Sequence, residues 1–376
     1  MDLVEFRTGL DEWLAGHRTE LAPTHRGAGT LDEQVAQLAK VKRLTFDADW
    51  MRWGWPRLVG GLGGSTLLRA YLGEALTAAD LVEPGIYSMT EVLAPTMIDY
   101  AAPELAAVMV PRLLRGDETW CQGFSEPGTG SNLATLSCRA VRDDDGWRVN
   151  GQKVWTSLAQ YATRCVLLVR SGTADSAHRG ITALFVDMDT PGITVRPIGT
   201  MHGVPEFAEV FFDDVAVPAG RMLGEEGQGW SVAMDLLPFE RSTALWHRGA
   251  HLQHRLRQLL VTASAGTLDP MQLGETVQML AALRARSRAT QYRMAAGERL
   301  GAETSVDKVL LATAEQALFD LAEGALSDAI LLGDDPDDAR WRSEFLYSRA
   351  ATIYGGTAEI QRNIIARRLL GLPDHR

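Results

Sequence analysis

The chain contains little cysteine and no excess of basic residues. Its three cysteines, Cys121, Cys138 and Cys165, are too few and too irregularly spaced for a disulfide framework or a cysteine-ligated zinc site. The net charge of −11 argues against binding to the phosphate backbone of nucleic acid. No run reaches the roughly 18 apolar residues of a membrane span, and the acidic start of the chain is unlike a signal peptide. We therefore expect a cytoplasmic protein whose partners include neither nucleic acid nor membrane.

The pattern of apolar and turn residues changes twice along the chain, which predicts three domains. In residues 1–118, apolar side chains recur at helical spacing, beginning with Leu3 and Phe6. In residues 119–226, short β-branched or aromatic runs alternate with turn residues and predict a small β-barrel or sandwich. In residues 227–376, long helical patterns return and predict a four-helix bundle. The predicted fold class is α+β and multidomain, in the order helices, sheet, helices.

A local turn signal lies inside the predicted β domain. Asn150-Gly151 stands between two runs of strand-forming residues that begin at Trp147 and end at Trp155. Asn-Gly is the strongest short signal for a two-residue hairpin turn, because both positions adopt positive φ there. We therefore expect a hairpin that reverses at Asn150-Gly151.

Three histidines share one face of a predicted C-terminal helix. His247, His251 and His254 follow at i, i+4 and i+7, a spacing that suits metal ligands. No glutamate completes a His-Glu-x-x-His motif, and Arg248 and Arg255 add positive charge to the same helix. We expect no metal site here and interpret the histidines as a solvated or substrate-facing stripe.

Two segments rich in glycine and hydroxyl groups carry most of the functional information. Residues 120–132 read Trp-Cys-Gln-Gly-Phe-Ser-Glu-Pro-Gly-Thr-Gly-Ser-Asn, and residues 353–363 read Ile-Tyr-Gly-Gly-Thr-Ala-Glu-Ile-Gln-Arg-Asn. Such loops bring N–H groups and hydroxyls against the carbonyls or phosphates of a ligand. The first lacks the third glycine of a dinucleotide fingerprint. Together with residues 147–157 and 209–230, the two segments resemble in order and spacing the flavin-binding signatures of the acyl-CoA dehydrogenase family.

The resemblance implies an FAD site that begins in the first segment. Phe124 and Gly130 belong to its cofactor-binding loop. Ser125 would bond the edge of the flavin ring, and Ser131 would face the substrate or the flavin phosphates.

Further cofactor contacts are implied in the other matching segments. Trp155 would lie against the isoalloxazine, and Ser157 would bond near its N5 atom or ribityl arm. Thr357 and Glu359 would lie by the dinucleotide half of FAD, although many relatives have glutamine where this chain has Glu359. Without the resemblance, Trp155 reads more simply as a core tryptophan on a strand.

The resemblance also raises the question of the catalytic base. Many relatives carry their catalytic glutamate directly before a Gly-Thr pair, where this chain has Gly355. One branch of the family places the base in a Glu-Arg pair on a bundle helix, and this chain has Glu240-Arg241. This implies Glu240 as base, the Gly355 N–H as donor to the thioester carbonyl, and Arg241 near the thioester or nucleotide portion. The alternative is an ion pair of Glu240 with Arg241 or His247.

The resemblance weakens where relatives contact the FAD of a neighbouring subunit. Residues 259–270 lack the arginine of an Arg-x-x-Phe-Gly stretch, and residues 329–335 lack a Gln-x-x-Gly-Gly-x-Gly stretch. The motifs that would bind the FAD of this chain are present, whereas the motifs that would contact the FAD of a neighbouring subunit are missing. We therefore expect a homo- or heterotetramer, and the asymmetry suggests that a different chain completes the FAD site.

The implied reaction is the FAD-dependent α,β-dehydrogenation of an acyl-CoA thioester, with an electron-transferring flavoprotein as acceptor. Gly355 leaves room for a branched or bulky acyl chain, and the resemblance to relatives that pair unlike subunits and act on steroid side chains implies a sterol-derived one. Two alternatives remain open. The chain could be a non-catalytic partner subunit of such an enzyme. It could also be an acyl-CoA oxidase or a nitrogen-hydroxylating flavin monooxygenase of the same fold.

Overall fold

The computed structural model of the protein describes residues 1–264 and 266–373. The predicted C-terminal domain, residues 227–376, therefore includes positions outside the described residues, namely Ala265 and residues 374–376. The described chain passes from helices through a β-sheet to a second group of helices. This order confirms the α+β multidomain prediction.

The N-terminal part is helical and its helices begin at well-formed caps. The helices are α1 (Leu3–Gly16), α2 (Arg18–Leu21), α3 (Leu31–Asp47), α4 (Thr66–Ala78), α5 (Pro84–Tyr100) and α6 (Pro103–Arg115). At the start of α1, the Asp2 carboxylate accepts from the N–H groups of Val4 and Glu5, and the Glu5 carboxylate accepts from the Asp2 N–H. Thr30 and Glu33 form the same reciprocal cap on α3. The local sequence thus fixes where these two helices begin.

The central part is one eight-stranded, mostly antiparallel sheet. Its strands are β1 (Trp120–Gly123), β2 (Arg139–Arg142), β3 (Gly146–Ser157), β4 (Arg164–Arg170), β5 (Ile181–Asp187), β6 (Ile193–Pro197), β7 (Phe207–Pro218) and β8 (Met222–Leu223). The spatial order is β6-β7-β3-β2-β4-β5-β8, and β1 pairs in parallel with β4. The long strands β3 and β7 pair along their whole length, so the residues at the end of β3 and the start of β7 lie side by side.

The hairpin predicted at Asn150-Gly151 is wrong. Strand β3 runs through both residues, and the chain reverses instead between Asp143 and Gly146. There the Asp143 Oδ1 atom accepts from the Gly146 N–H over 2.8 Å. The register between β3 and β7 shifts between Val149 and Gly151, so the Asn-Gly pair marks an irregularity in a long strand. The carboxylate of Asp143 supplies the turn geometry that the Asn-Gly signal suggested elsewhere.

The C-terminal part is again helical. Its helices are α7 (Gly229–Glu240), α8 (Thr243–Thr262), α9 (Pro270–Ala295), α10 (Thr304–Leu332), α11 (Pro336–Ser348) and α12 (Ala358–Ile364). Residues from α8, α9, α10 and α11 share one hydrophobic core, in which Leu252, Leu283 and Leu318 are buried. Helix α7 behaves differently, because Val232 and Leu236 pack into the core that the N-terminal helices share with the sheet. The end of α7 is therefore held at the junction of all three parts of the fold.

Among the described residues, no helix combines the length and apolar character of a membrane span.

Candidate active site

The carboxylate of Glu240 lies against the backbone of Gly355. A Cβ atom on Gly355 would stand 3.0 Å from Oε1 of Glu240 and 3.9 Å from its carboxyl carbon. Glu240 is the last residue of α7, and Arg241 follows it directly. The Nε atom of Arg241 donates to the carbonyl oxygen of Gly355 over 3.2 Å. The structure thus brings together Glu240 and Gly355, the two predicted catalytic residues, and Arg241, a predicted substrate-binding residue.

The local backbone favours glycine at position 355. Gly355 has φ +62° and Gly356 has φ +90°, both in the left-handed region that favours glycine. A side chain at position 355 would also stand 3.3 Å from Cε of Lys308, on top of its contact with Glu240. A side chain at position 356 would collide with the Gln361 amide. The double glycine therefore leaves the space that the Glu240 carboxylate occupies.

Of the two backbone polar groups of Gly355, one is hydrogen-bonded within the described residues and the other is not. The carbonyl oxygen of Gly355 accepts from Nε of Arg241 and from Nε2 of Gln361, over 3.2 and 3.3 Å. The N–H of Gly355 donates to no acceptor in the described part of the chain. An unpaired N–H beside a carboxylate is available to the acceptor atom of a ligand.

A buried lysine that sequence reasoning missed supports the same turn. Lys308 of α10 donates from Nζ to the carbonyl oxygen of Ala351 over 2.6 Å, and Nζ lies 3.8 Å from the centre of the Tyr354 ring. Burial lowers the pKa of Lys308 to about 8, while attraction to Glu315 and Glu240 opposes that shift. The only signal in the sequence was a charged residue on the apolar face of a long helix.

The ion pairs proposed as an alternative role for Glu240 do not form. Within the described residues, no ion-pair partner lies within 4.0 Å of either the Glu240 carboxylate or the Arg241 guanidinium. His247 is turned towards α4 and α5, where its ring packs against Gly73 and lies 5.2 Å from the Tyr87 ring. Burial lowers the pKa of Arg241, although the charge of Glu240 acts in the opposite direction. Glu240 and Arg241 are both available to a ligand.

The loop of the first signature segment is held by a buried ion pair. Oε1 of Glu126 accepts from Nζ of Lys153 over 2.7 Å and from the Cys138 N–H over 2.9 Å. Its Oε2 atom accepts from the N–H and the hydroxyl of Ser137 over 2.6 and 2.8 Å. Lys153 also donates to the carbonyl oxygen of Phe124 over 3.2 Å. Burial raises the pKa of Glu126, but Lys153 and the hydrogen bonds outweigh it and leave the pKa below its usual value.

The predicted cofactor residues of this loop lie beside the buried pair, and three of the four remain accessible. Phe124 is buried, whereas Ser125 is half-buried and Gly130 and Ser131 are exposed. The Ser125 carbonyl oxygen accepts from the Val154 N–H over 3.0 Å, which ties the loop to β3. A Cβ atom on Gly130 would meet no atom within 4 Å. A rigid base with open hydroxyl and N–H groups fits a ligand-binding loop.

Trp155 is exposed and strained, so the core-tryptophan alternative is wrong. Its side chain is 58% exposed and its backbone has φ +58°, in a region that bulky residues rarely adopt. The register between β3 and β7 shifts between Lys153 and Thr156, which turns Trp155 out of the sheet. Its ring lies edge-on to Phe207, at 6.0 Å between centroids, and Ser157 is half-buried two residues further along β3. A large aromatic face presented in this way fits a flat cofactor ring.

The two predicted cofactor residues of the second segment lie at the start of α12. The Thr357 hydroxyl accepts from the Ile360 N–H over 3.3 Å and caps the helix. Glu359 is exposed and lies 4.0 Å from Arg362. In the described chain, no hydrogen bond joins either residue to the loop of residues 124–131. The contacts of Thr357 and Glu359 with a cofactor therefore stay predictions.

The interpretation of the histidines as a solvated or substrate-facing stripe is wrong for His247 and His251, which are fully buried. His251 bonds Glu344 over 3.1 Å, and Glu83 lies close enough to complete a three-ligand group. Arg255 and Arg340 also pair with Glu344, at 2.7 and 3.3 Å. Two guanidinium groups already occupy the carboxylate that a cation would need, so the arrangement favours a buried ion network.

Comparison with known proteins assigns the family. Residues 121–215 match the model of the acyl-CoA dehydrogenase middle domain, and residues 227–370 match that of the C-terminal domain. The chain is 36% identical over 378 residues to acyl-CoA dehydrogenase IpdE1 of Mycobacterium tuberculosis, with 99% of this chain and 98% of the relative covered. The chain belongs to the acyl-CoA dehydrogenase family. It is thus an acyl-CoA dehydrogenase-type oxidoreductase from a family of flavoproteins.

Solved structures of this family have the same fold. The Tcur3481–Tcur3483 steroid ACAD superposes with a TM-score of 0.84 at 25% identity, covering 98% of both chains. The ChsE4–ChsE5 complex from Mycobacterium tuberculosis superposes with a TM-score of 0.79 at 29% identity, covering 100% of both chains. Each of these two structures is named after a pair of different proteins. The acyl-CoA dehydrogenase fold expected from the sequence is confirmed.

Proposed function

We propose that this chain catalyses the FAD-dependent α,β-dehydrogenation of an acyl-CoA thioester, with Glu240 as the catalytic base. The observation that carries the proposal is the position of the Glu240 carboxylate, 3.0 Å from the point where a side chain on residue 355 would begin. A carboxylate supplied from α7 thus reaches the turn that, in many relatives, supplies it from position 355. The open N–H of Gly355 lies in the same turn.

The proposed chemistry uses the base and the N–H together. Glu240 takes the proton from the α-carbon of the thioester, and negative charge then develops on the thioester carbonyl oxygen. The Gly355 N–H donates to that oxygen and stabilises the charge. Arg241, which has no carboxylate partner among the described residues, is suited to an anionic or carbonyl group of the substrate.

The residues around the first signature loop fit an FAD site. A rigid loop, open hydroxyl groups and an exposed aromatic face supply what a flavin nucleotide requires. We assign cofactor binding to Phe124, Ser125, Gly130, Ser131, Trp155, Ser157, Thr357 and Glu359. FAD, when bound, supplies the acceptor for the hydride that leaves the β-carbon, so that the product is a 2-enoyl-CoA. An electron-transferring flavoprotein is the proposed external acceptor.

The variant Glu240→Gln tests the assignment of the base. Glutamine keeps the size and hydrogen bonds of the side chain but cannot take up the proton. We expect kcat to fall by about 10³-fold or more, because general base catalysis contributes about 10²–10⁴-fold and the oxyanion contact acts only once the proton leaves. The variant should still bind the acyl-CoA, as measured by the thermal shift that the ligand produces. Glu275→Gln, an exposed site on α9, is the matched control and should retain full activity. Unchanged kcat of the complex that contains Glu240→Gln would indicate a non-catalytic subunit.

We also propose that a second, different chain completes the FAD site and that the acyl group is branched or sterol-derived. The support is the missing arginine in residues 259–270 and the two-chain steroid ACAD and ChsE4–ChsE5 neighbours. The visible absorption spectrum tests the first part. We expect a nearly colourless protein when the chain is purified alone and a flavin spectrum when it is purified with its partner. Full FAD occupancy in a homotetramer would contradict the proposal.

A further inference from the structure

A buried ion pair contacts the residue that directly precedes Gly355. Glu315 of α10 is fully buried, and only 12% of the Arg248 side chain on α8 is exposed. Nε of Arg248 donates to Oε2 of Glu315 over 3.1 Å, and Nη2 donates to Oε1 over 2.8 Å. Two parallel hydrogen bonds of this kind hold both planar groups in one orientation. The carboxylate oxygens of Glu315 are therefore fixed relative to two helices of the bundle.

Tyr354 connects this ion pair with the turn. Its hydroxyl donates to Oε2 of Glu315 over 3.1 Å, and its backbone N–H donates to the Ala350 carbonyl oxygen over 3.0 Å. Nζ of Lys308 lies 3.8 Å from the centre of the Tyr354 ring. The side chain and the backbone of Tyr354 are thus held by three separate contacts. Because Tyr354 directly precedes Gly355, the peptide group between them carries the open N–H.

That peptide group is oriented from its two ends, because its N–H makes no hydrogen bond within the described residues. On one side, Arg241 and Gln361 hold the Gly355 carbonyl oxygen over 3.2 and 3.3 Å. Two consecutive glycines at positions 355 and 356 allow a wide range of backbone angles, so the turn has little stiffness of its own. The direction of the open N–H consequently depends on how firmly Tyr354 is held on the other side.

We propose that Tyr354 is a positioning residue, whose hydroxyl bond to the Arg248–Glu315 pair directs the Gly355 N–H at the thioester carbonyl oxygen. The inference rests on the proposed function, which makes that N–H the oxyanion donor. Such a donor matters most when negative charge develops, so a loosely held N–H slows the reaction more than it weakens substrate binding. An ion pair that only joined α8 to α10 would affect stability and leave kcat unchanged.

Tyr354→Phe tests the proposal, because it removes one oxygen atom and keeps the ring beside Lys308. Steady-state assays use the FAD-loaded enzyme with any partner chain that it requires, and the probe is octanoyl-CoA or cholanoyl-CoA, whichever the wild type turns over faster. We expect kcat to fall by about 10-fold, because loss of a whole oxyanion donor costs about 10²–10³-fold and here the donor is only misaligned. KM should change by less than about 2-fold. Tyr71→Phe is the matched control, since the Tyr71 hydroxyl donates to the Asp11 carboxylate over 2.9 and 3.0 Å between α4 and α1, and it should keep the wild-type kcat.

A second variant shows whether the ion pair acts through the Tyr354 hydroxyl. Arg248→Lys keeps a positive charge beside Glu315 but gives up the two parallel hydrogen bonds. It should lower kcat in the wild-type background and lower it no further in the Tyr354→Phe background, because the hydroxyl through which it acts is then gone. Urea denaturation gives the folded fraction of each variant, to which kcat is referred. Losses of kcat that multiply in the double variant would overturn the proposal.

Comparison with Glu240→Gln separates this inference from the proposed base. Loss of turnover in Glu240→Gln together with a wild-type kcat in Tyr354→Phe would reject the positioning role and leave the proposed reaction in place. A loss in Tyr354→Phe that appears only in KM would reject it as well, because the hydroxyl would then serve substrate binding. A lower kcat at unchanged KM in Tyr354→Phe supports the positioning role even if Glu240→Gln remains active.

Discussion

Adding a single methyl group at Gly355 provides a sharp test of the proposed site. In Gly355→Ala, the new Cβ would stand 3.0 Å from Oε1 of Glu240 and 3.3 Å from Cε of Lys308. Ordinary contacts of a Cβ are 3.4 Å or longer, so the carboxylate has to retreat by a few tenths of an ångström. The alanine must also adopt φ near +62°, which costs about 1–2 kcal/mol relative to glycine.

These two effects act on different measurements. The backbone strain lowers the free energy of unfolding by about 1–2 kcal/mol. The displaced carboxylate affects the reaction itself, because a misplacement of about 1 Å can cost 10²-fold in rate. For the smaller shift expected here, kcat should fall by roughly 10-fold. KM should change less, because the Gly355 N–H and Arg241 both remain.

Gly297→Ala is the matched control for this variant. Gly297 has φ +82°, so alanine there carries the same kind of backbone strain, but no atom lies within 4 Å of its Cβ position. Chemical denaturation should show similar losses of stability in the two variants, and steady-state assays should show normal kcat only in Gly297→Ala. If Gly355→Ala keeps the wild-type kcat while losing stability like the control, Glu240 does not act beside Gly355.

Two further predictions concern the support of the site and its pH dependence. Lys153→Met leaves the Glu126 carboxylate buried without its ion-pair partner, so the free energy of unfolding should fall by about 3–5 kcal/mol in a denaturation experiment. FAD should also bind more weakly in a flavin fluorescence titration. Normal FAD affinity would show that this ion pair does not support the cofactor loop. Burial lowers the pKa of His247 to about 3 from its usual 6.5. Between pH 6.5 and pH 3, His247 is therefore protonated in the unfolded chain but not in the folded one. The free energy of unfolding should fall as the pH drops through this range. Urea denaturation at pH 7 and pH 5 gives the change in the free energy of unfolding with pH for the wild type and for His247→Gln. The two changes should differ by about 1 kcal/mol per pH unit. Equal changes would refute the lowered pKa of His247.

What the sequence predicted correctly was either local or carried by long motifs. The helical spacing that begins with Leu3 and Phe6 is a local pattern, and the structure forms α1 there with Phe6 buried. Asn150-Gly151 misled because a turn signal is a preference that the pairing of a twelve-residue strand overrides. The burial of His247 depends on Gly73 in a distant helix, which no spacing rule detects.

The pairing of Glu240 with Gly355 was inferred from the family pattern, and the structure supplies what that pattern lacked. Helical periodicity places Glu240 on a helix of the C-terminal part, but only the structure shows that α7 ends there and what its end meets. Lys308 left almost no signal in the sequence, because it is a single charged residue in an otherwise ordinary run. Its role becomes visible only through its burial and through its contacts with Ala351 and Tyr354.

The position of Glu240 also explains how a base can move without losing the rest of the site. Helix α7 is anchored by Val232 and Leu236 in the core of the N-terminal helices and sheet, whereas the 354–356 turn belongs to the bundle. The base and the oxyanion donor thus come from separate structural units, joined by the hydrogen bond from Arg241 to the Gly355 carbonyl. That bond fixes the peptide whose neighbouring N–H is the proposed donor, so α7 positions both groups at once. Removing the side chain at position 355 costs no oxyanion contact and opens the space into which the carboxylate of α7 extends.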